Sequence, residues 1–129
     1  MHLRLNAVSL LIILTTAVWA GACASSSKAK TDTYGEKHAV MESADHVTVE
    51  LTNLQFEPQA IRIKRGTMVT WVNKDAAMHN VSQIESAFLS QDELKQGDAY
   101  NFTFVKPGTY RYQCTFHHPN MNGAVIVEE

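Results

Sequence analysis

The sequence has very few cysteines, and no two of them can pair within one folded domain. Only Cys23 and Cys114 occur, and Cys23 lies beside the N-terminal apolar run, so an intradomain disulfide is excluded. The sequence also lacks a basic stripe, since 11 lysines and arginines are set against 13 acidic residues. Nucleic acid is therefore not an expected partner.

A single long apolar run stands at the N-terminus. Arg4 precedes the run, which extends from Ala7 to Ala20 and ends in the small residues Gly21 and Ala22. Because the run is short for a membrane span of about 20 residues and closes in small residues, residues 1–22 are predicted to be a secretory signal peptide rather than a retained anchor. We expect an exported, periplasmic protein.

The stretch Ala20-Gly21-Ala22-Cys23 resembles a bacterial lipoprotein box, although alanine replaces the usual leucine. It predicts acylation of Cys23 as the new N-terminus, and so a membrane-anchored lipoprotein. Ordinary cleavage is the alternative, but it would leave a free thiol in an oxidising compartment. Residues 23–45 are polar and lack an apolar period, which predicts a flexible linker. The folded domain is then expected at 46–129, long enough for one core.

The folded part has a period of two, which indicates β-strands. Apolar and polar residues alternate, and Gly66 and Gly108 mark turns between the runs. The predicted strands are 47–52, 61–64, 67–73, 100–104, 110–114 and 124–127. Short strands separated by turns predict an all-β sandwich or barrel. Within this domain a helical turn is predicted at Ser90 to Gln96, where Ser90 and Glu93 would form a capping box.

Soft metal-ligating side chains cluster near the C-terminus. Cys114 is followed by His117, His118 and Met121 within eight residues. Thiolate, imidazole and thioether donors together favour copper over magnesium, calcium or manganese. Zinc also accepts thiolate and imidazole but rarely methionine, and a buried cysteine without a metal is common. A trigonal site needs a second imidazole, for which His79 is the natural candidate; His38 and His46 have no partner at ligand spacing.

The sequence on both sides of these residues resembles plastocyanin- and amicyanin-type cupredoxins, which are blue copper proteins. The resemblance covers nearly all of residues 47–128. It rests on Phe56-Glu57-Pro58, Ile61-Arg62-Ile63, Gly66 to Asp75, His79-Asn80-Val81, Phe102-Thr103-Phe104, Pro107 to Cys114 and Met121-Asn122-Gly123.

This resemblance implies a cupredoxin-like Greek-key sandwich that holds one copper ion. It implies His79, Cys114, a later histidine and Met121 as ligands, with Met121 as the weak axial one. It also implies that Asn80 ties the two ligand loops together by a hydrogen bond to the backbone at Thr115.

The ligand loop departs from the family pattern in its length. Counting forward from Cys114 with the usual spacing makes His117 the ligand, whereas counting back from Met121 through Pro119 makes it His118. The spacing from the cysteine varies less in the family, so His117 is the prediction and His118 the alternative.

The resemblance implies electron transfer between redox protein partners, by brief docking, and not an enzyme. A copper storage or delivery protein is the alternative function. A fragment of a multicopper oxidase or nitrite reductase is disfavoured, because no second set of histidines is present for a catalytic copper. Small or apolar residues of the two ligand loops are expected to form the docking surface: Ala76, Ala77, Met78, Phe116 and Pro119.

Overall fold

The computed structural model describes residues 32–85 and 93–129, which form two packed β-sheets. One sheet has the strand order β1-β4-β9-β8-β6 and the other β3-β2-β5-β7. The strands are β1 (Val40–Met41), β2 (His46–Thr52), β3 (Gln55–Glu57), β4 (Ala60–Lys64), β5 (Met68–Asn73), β6 (Ser82–Gln83), β7 (Ala99–Thr103), β8 (Gly108–Gln113) and β9 (Asn122–Glu128). The predicted all-β sandwich is confirmed.

Alternating side chains build the core between the sheets. In β2 the apolar residues Val47, Val49 and Leu51 are buried, and the polar residues between them are exposed. Burial of each such side chain favours folding by about 1.5–3 kcal/mol. At the centre, the ring of Trp71 lies 5.4 Å from that of Tyr112 in an edge-on contact. These rings give the scaffold a stiff interior.

Each of the two ligand-bearing loops begins where a strand of the sandwich ends. Strand β5, which pairs in parallel with β2, ends at Asn73 and leads into the loop 74–81. Strand β8 ends at Gln113 and pairs antiparallel with β9, so the loop 114–121 connects them. Hydrogen bonds between Asn80 and Thr115 join the two loops. Both loops therefore meet at one end of the sandwich.

The C-terminal part of the predicted flexible linker is in contact with the sandwich. Within residues 32–45, Glu36–His38 form a short 3-10 helix and β1 pairs in parallel with β4. Glu36 also forms an ion pair with Arg111 of β8. The prediction of a flexible linker considered apolar burial only and took no account of such contacts. Backbone pairing and a charge pair hold this segment instead.

The helical turn predicted for Ser90 to Gln96 is not what the described residues form. Residues 86–92 lie outside the described part of the chain. Leu94 instead makes an antiparallel bridge with His79, with N···O distances of 3.1 and 2.7 Å. Leu94 is fully packed in the core, and this burial competes with a local helical turn.

Residues 1–31, with the predicted signal peptide and Cys23, also lie outside the described residues. Across 32–85 and 93–129, the structure has no helix of the length and apolar character that a membrane crossing requires.

Candidate metal centre

Three soft donor side chains converge at the end of the sandwich where the two loops meet. His79 is fully buried in the loop after β5, and its backbone is fixed by the bridge to Leu94. Cys114 is fully buried directly after β8, and His117 is partly buried three residues later. Their ligand atoms all lie within 4.8 Å of one another.

The spacing of these atoms fits a metal ion. The Cys114 Sγ lies 3.7 Å from Nδ1 of His79 and 3.4 Å from Nδ1 of His117. A thiolate and an imidazole that bind one metal ion at about 2.3 and 2.0 Å are separated by roughly this distance. One sulfur and two nitrogens, with a methionine nearby in sequence, match the trigonal set typical of electron-transfer copper sites.

Backbone hydrogen bonds close the loop 114–121 and place His117 at the site. The N–H of His117 donates to the carbonyl of Cys114 at 3.3 Å, and the His117 carbonyl accepts from Asn120 and Met121 at 3.1 and 3.2 Å. The N–H of Cys114 donates to the Met121 carbonyl at 3.0 Å. His118 is exposed and is not among the clustered donors of the described residues. The geometry thus favours His117 over His118.

Met121 completes the set of predicted ligands. Its side chain has no exposed surface, and it belongs to the buried core cluster. The short loop from Cys114 brings its backbone next to that of the cysteine. The thioether is therefore withheld from solvent.

The two ligand loops are joined by the amide of Asn80. Its Oδ1 accepts from the N–H of Thr115 at 2.8 Å, and its Nδ2 donates to the Thr115 hydroxyl at 2.7 Å. The first of these is the contact that the resemblance implied. Because Asn80 adjoins His79 and Thr115 adjoins Cys114, the link fixes the separation of two ligands.

Sequence reasoning gave no role to Asp75, which contacts the first ligand directly. Its Oδ2 lies 2.9 Å from Nε2 of His79. Burial raises the pKa of the Asp75 carboxyl, but hydrogen bonds from the N–H of Leu54, from His79 and from the N–H of Asn53 outweigh it and hold the pKa below its ordinary value. The sequence feature that could have indicated this role is the position of a carboxylate four residues before a ligand histidine.

The fold and this donor set define a type 1 copper protein with a cupredoxin fold. Residues 43–128 match the family described as copper binding proteins, plastocyanin/azurin family. The chain belongs to this family. It is an electron-transfer protein with one copper site, formed by His79, Cys114, His117 and Met121, and it is not an enzyme.

Known proteins similar to this chain include amicyanin from Paracoccus denitrificans. The two are 38% identical over 95 residues, which cover 70% of this chain and 72% of that protein. A solved structure of a Cu(I) amicyanin variant superposes with a TM-score of 0.60 at 34% identity, over 66% of this chain and 84% of the other.

A larger protein contains a similar domain. The Cu-containing nitrite reductase from Thermus scotoductus SA-01 superposes with a TM-score of 0.66 at 29% identity, over 74% of this chain. Only 29% of that longer chain is matched. The likeness therefore concerns less than a third of the reductase chain.

Proposed function

We propose that this chain is an exported electron carrier, held at a membrane by acylated Cys23, that exchanges electrons with protein partners at the loop end of the sandwich. The observation that supports electron transfer is the buried Cys114 sulfur between two imidazole nitrogens at 3.4 and 3.7 Å. Copper bound there supplies a Cu(II)/Cu(I) couple. An electron carrier also requires a donor and an acceptor that dock only briefly.

The chain's own residues would keep the site nearly unchanged between the two redox states. The His79 ring is buried and hydrogen-bonded, and the loop that carries Cys114 and His117 is closed by its own backbone. Side chains that are held in this way cannot follow the different geometries that oxidised and reduced copper prefer. A small rearrangement on reduction favours fast transfer.

The proposed docking surface is an apolar patch on the two ligand loops, formed by Ala76, Ala77, Met78, Phe116 and Pro119. Met78 and Phe116 are 44% and 48% exposed, which is high for large apolar side chains. Phe116 directly precedes His117, so a partner on this patch would lie beside the loop histidine. A small apolar surface suits complexes that must dissociate quickly.

The function is tested by adding Cu(II) to the metal-free domain. We expect an intense blue colour from thiolate-to-copper charge transfer, which ascorbate bleaches reversibly. A colourless complex, or a coloured one that ascorbate does not reduce, would favour copper storage or delivery and contradict the carrier.

The docking patch is tested by electron self-exchange, measured from NMR line widths in mixtures of oxidised and reduced protein. Phe116→Glu should slow the exchange at least tenfold, because two like charges must then meet in the encounter complex. Val105→Glu is the matched control, since Val105 is 66% exposed and follows β7, away from the ligand loops. Equal self-exchange rates for both variants would show that partners dock on a different surface.

We also propose the boundaries of the mature protein: a signal peptide at 1–22, a tether that begins at Cys23, and a folded domain that includes residues 32–45. The contacts of Glu36 and β1 with the sandwich support the earlier start of the domain.

A further inference from the structure

The carboxylate of Asp75 bridges a ligand histidine and a turn on a different part of the chain. Its Oδ1 accepts from the N–H of Asn53 at 2.8 Å, and its Oδ2 accepts from the N–H of Leu54 at 2.9 Å. The same Oδ2 contacts Nε2 of His79 at 2.9 Å. The Asp75 side chain is 18% exposed, and that of His79 is not exposed at all. The copper ligand is thereby connected to the hairpin between β2 and β3.

The turn that donates these two N–H groups has an unusual backbone. Asn53 and Leu54 have φ angles of +52° and +59°. A two-residue hairpin turn with positive φ at both positions is normally built from glycine and asparagine. Leucine in the left-handed region costs about 1 kcal/mol or more, and such strain often accompanies a functional site. Here the strained conformation directs two adjacent N–H groups at one carboxylate.

Hydrogen bonds within the loop after β5 also fix the position of Asp75. Its N–H donates to Oδ1 of the fully buried Asn73 at 2.8 Å. The Asn73 amide in turn donates to the carbonyls of Ala77 and Leu94, each at 2.8 Å. The carboxylate therefore cannot swing away from His79 without the loss of several hydrogen bonds.

We propose that Asp75 is a positioning residue that holds His79 in one tautomer and orientation, and that its negative charge lowers the reduction potential of the copper. A carboxylate that accepts from Nε2 requires the hydrogen on that atom. Nδ1, which faces the Cys114 sulfur, then keeps its lone pair for the metal. The arrangement is a carboxylate–histidine–metal chain.

The sign of the effect on the potential follows from charge. Oxidised copper carries one more positive charge than reduced copper, so a carboxylate one imidazole ring away stabilises Cu(II) more than Cu(I). The ring lies in a buried environment, where such interactions are screened less than at the surface. Asp75 thus acts to lower the reduction potential of the copper.

The test is the midpoint potential of Asp75→Asn, a variant that keeps the size and an acceptor oxygen but removes the charge. We expect Cu(II) to lose affinity relative to Cu(I) by about tenfold or more, which corresponds to about 59 mV upward for one electron. Asp75→Glu, which keeps the charge, should remain closer to the unaltered protein. Glu128→Gln removes an equal charge at the far end of β9, about 20 Å along that strand from the loop, and should change nothing.

A potential of Asp75→Asn equal to that of Glu128→Gln would overturn the inference. The blue colour separates this result from a failure of the copper site itself: the inference can fail while the site stays blue. If Asp75→Asn does not fold, the inference is tested instead by NMR of the unaltered Cu(I) protein, which locates the hydrogen on the His79 ring. A slowly exchanging hydrogen on Nε2 of His79 is required, and a hydrogen on Nδ1, or rapid exchange at Nε2, contradicts the proposal.

Discussion

Two imidazole nitrogens lie 3.7 and 3.4 Å from the Cys114 sulfur, and this spacing determines what a change of any one residue does. The three donors come from two loops that are tied to each other. Loss of one donor therefore leaves the other two in place. Substitutions at the site should change the colour and the redox behaviour more than the fold.

Replacement of Cys114 by serine should abolish the blue colour, because a hydroxyl gives no thiolate-to-copper charge transfer. Copper affinity should fall by at least tenfold, since a soft anionic ligand is lost. Absorption spectra and a copper titration measure both effects. Cys23→Ser is the control and should remain blue; if Cys114→Ser were equally blue, the ligand assignment would be wrong.

The two adjacent histidines are distinguished by glycine substitution. His117→Gly should lose the native spectrum, because Nδ1 of His117 lies 3.4 Å from the cysteine sulfur. Added imidazole should restore the colour by entry into the space left by the ring. His118→Gly should keep the native spectrum, since His118 is exposed. The opposite pattern would make His118 the ligand.

Donor chemistry and the resemblance were enough to predict His79, Cys114 and Met121. They preferred His117 but kept His118 as the alternative, because the choice depends on the hydrogen bonds that close the loop 114–121. They missed the function of Asp75 for a related reason. Its partners Asn53 and Leu54 lie more than 20 residues away, and their importance arises from a backbone conformation that no side-chain pattern displays.

Among the structural elements, the two ligand loops behave as one unit because Asn80 joins them. Asn80→Ala should lower the free energy of unfolding by about 1–3 kcal/mol, since two hydrogen bonds of about 0.5–1.5 kcal/mol each are lost. Urea unfolding of the metal-free domain measures the change. Thr115→Val keeps the bond from its N–H to Asn80 and should lose about half as much. Equal stabilities for both variants and the unaltered domain would show that the link contributes nothing.

The segment before β2 is the other element whose contribution can be measured. Arg111 donates from Nε and Nη2 to the two carboxylate oxygens of Glu36, and both side chains are partly buried. A chain shortened to residues 46–129 should unfold with about 1–2 kcal/mol less free energy than residues 32–129. Glu36→Gln in the longer chain should account for part of the loss. Identical urea midpoints for residues 46–129 and residues 32–129 would show that this segment does not stabilise the domain and belongs to the linker.

At the scale of the whole molecule, the period of two was sufficient to predict the sandwich but not its strand order. The long strands β2, β4, β5, β7, β8 and β9 all lie at the positions where strands were predicted, although β9 is buried on both faces and does not alternate. Strands β1, β3 and β6 are only two or three residues long, too short for a period to show. Strands β1 and β6 depend on partners that are distant in sequence, β4 and β8, whereas β3 pairs with β2 across a two-residue turn.

The remaining prediction concerns how the molecule is held in the cell. Expressed in a Gram-negative bacterium, the full chain should sediment with membranes, require detergent for release, and have an N-terminal peptide whose mass includes acyl chains on Cys23. Two acyl signals are needed for stable anchoring, because a single chain binds a membrane only marginally. Cys23→Ser should abolish acylation and detergent-dependent release while the folded domain still binds copper. Recovery of the unaltered chain in the soluble periplasmic fraction, with a free thiol at Cys23, would contradict the anchor and leave ordinary cleavage after Ala22.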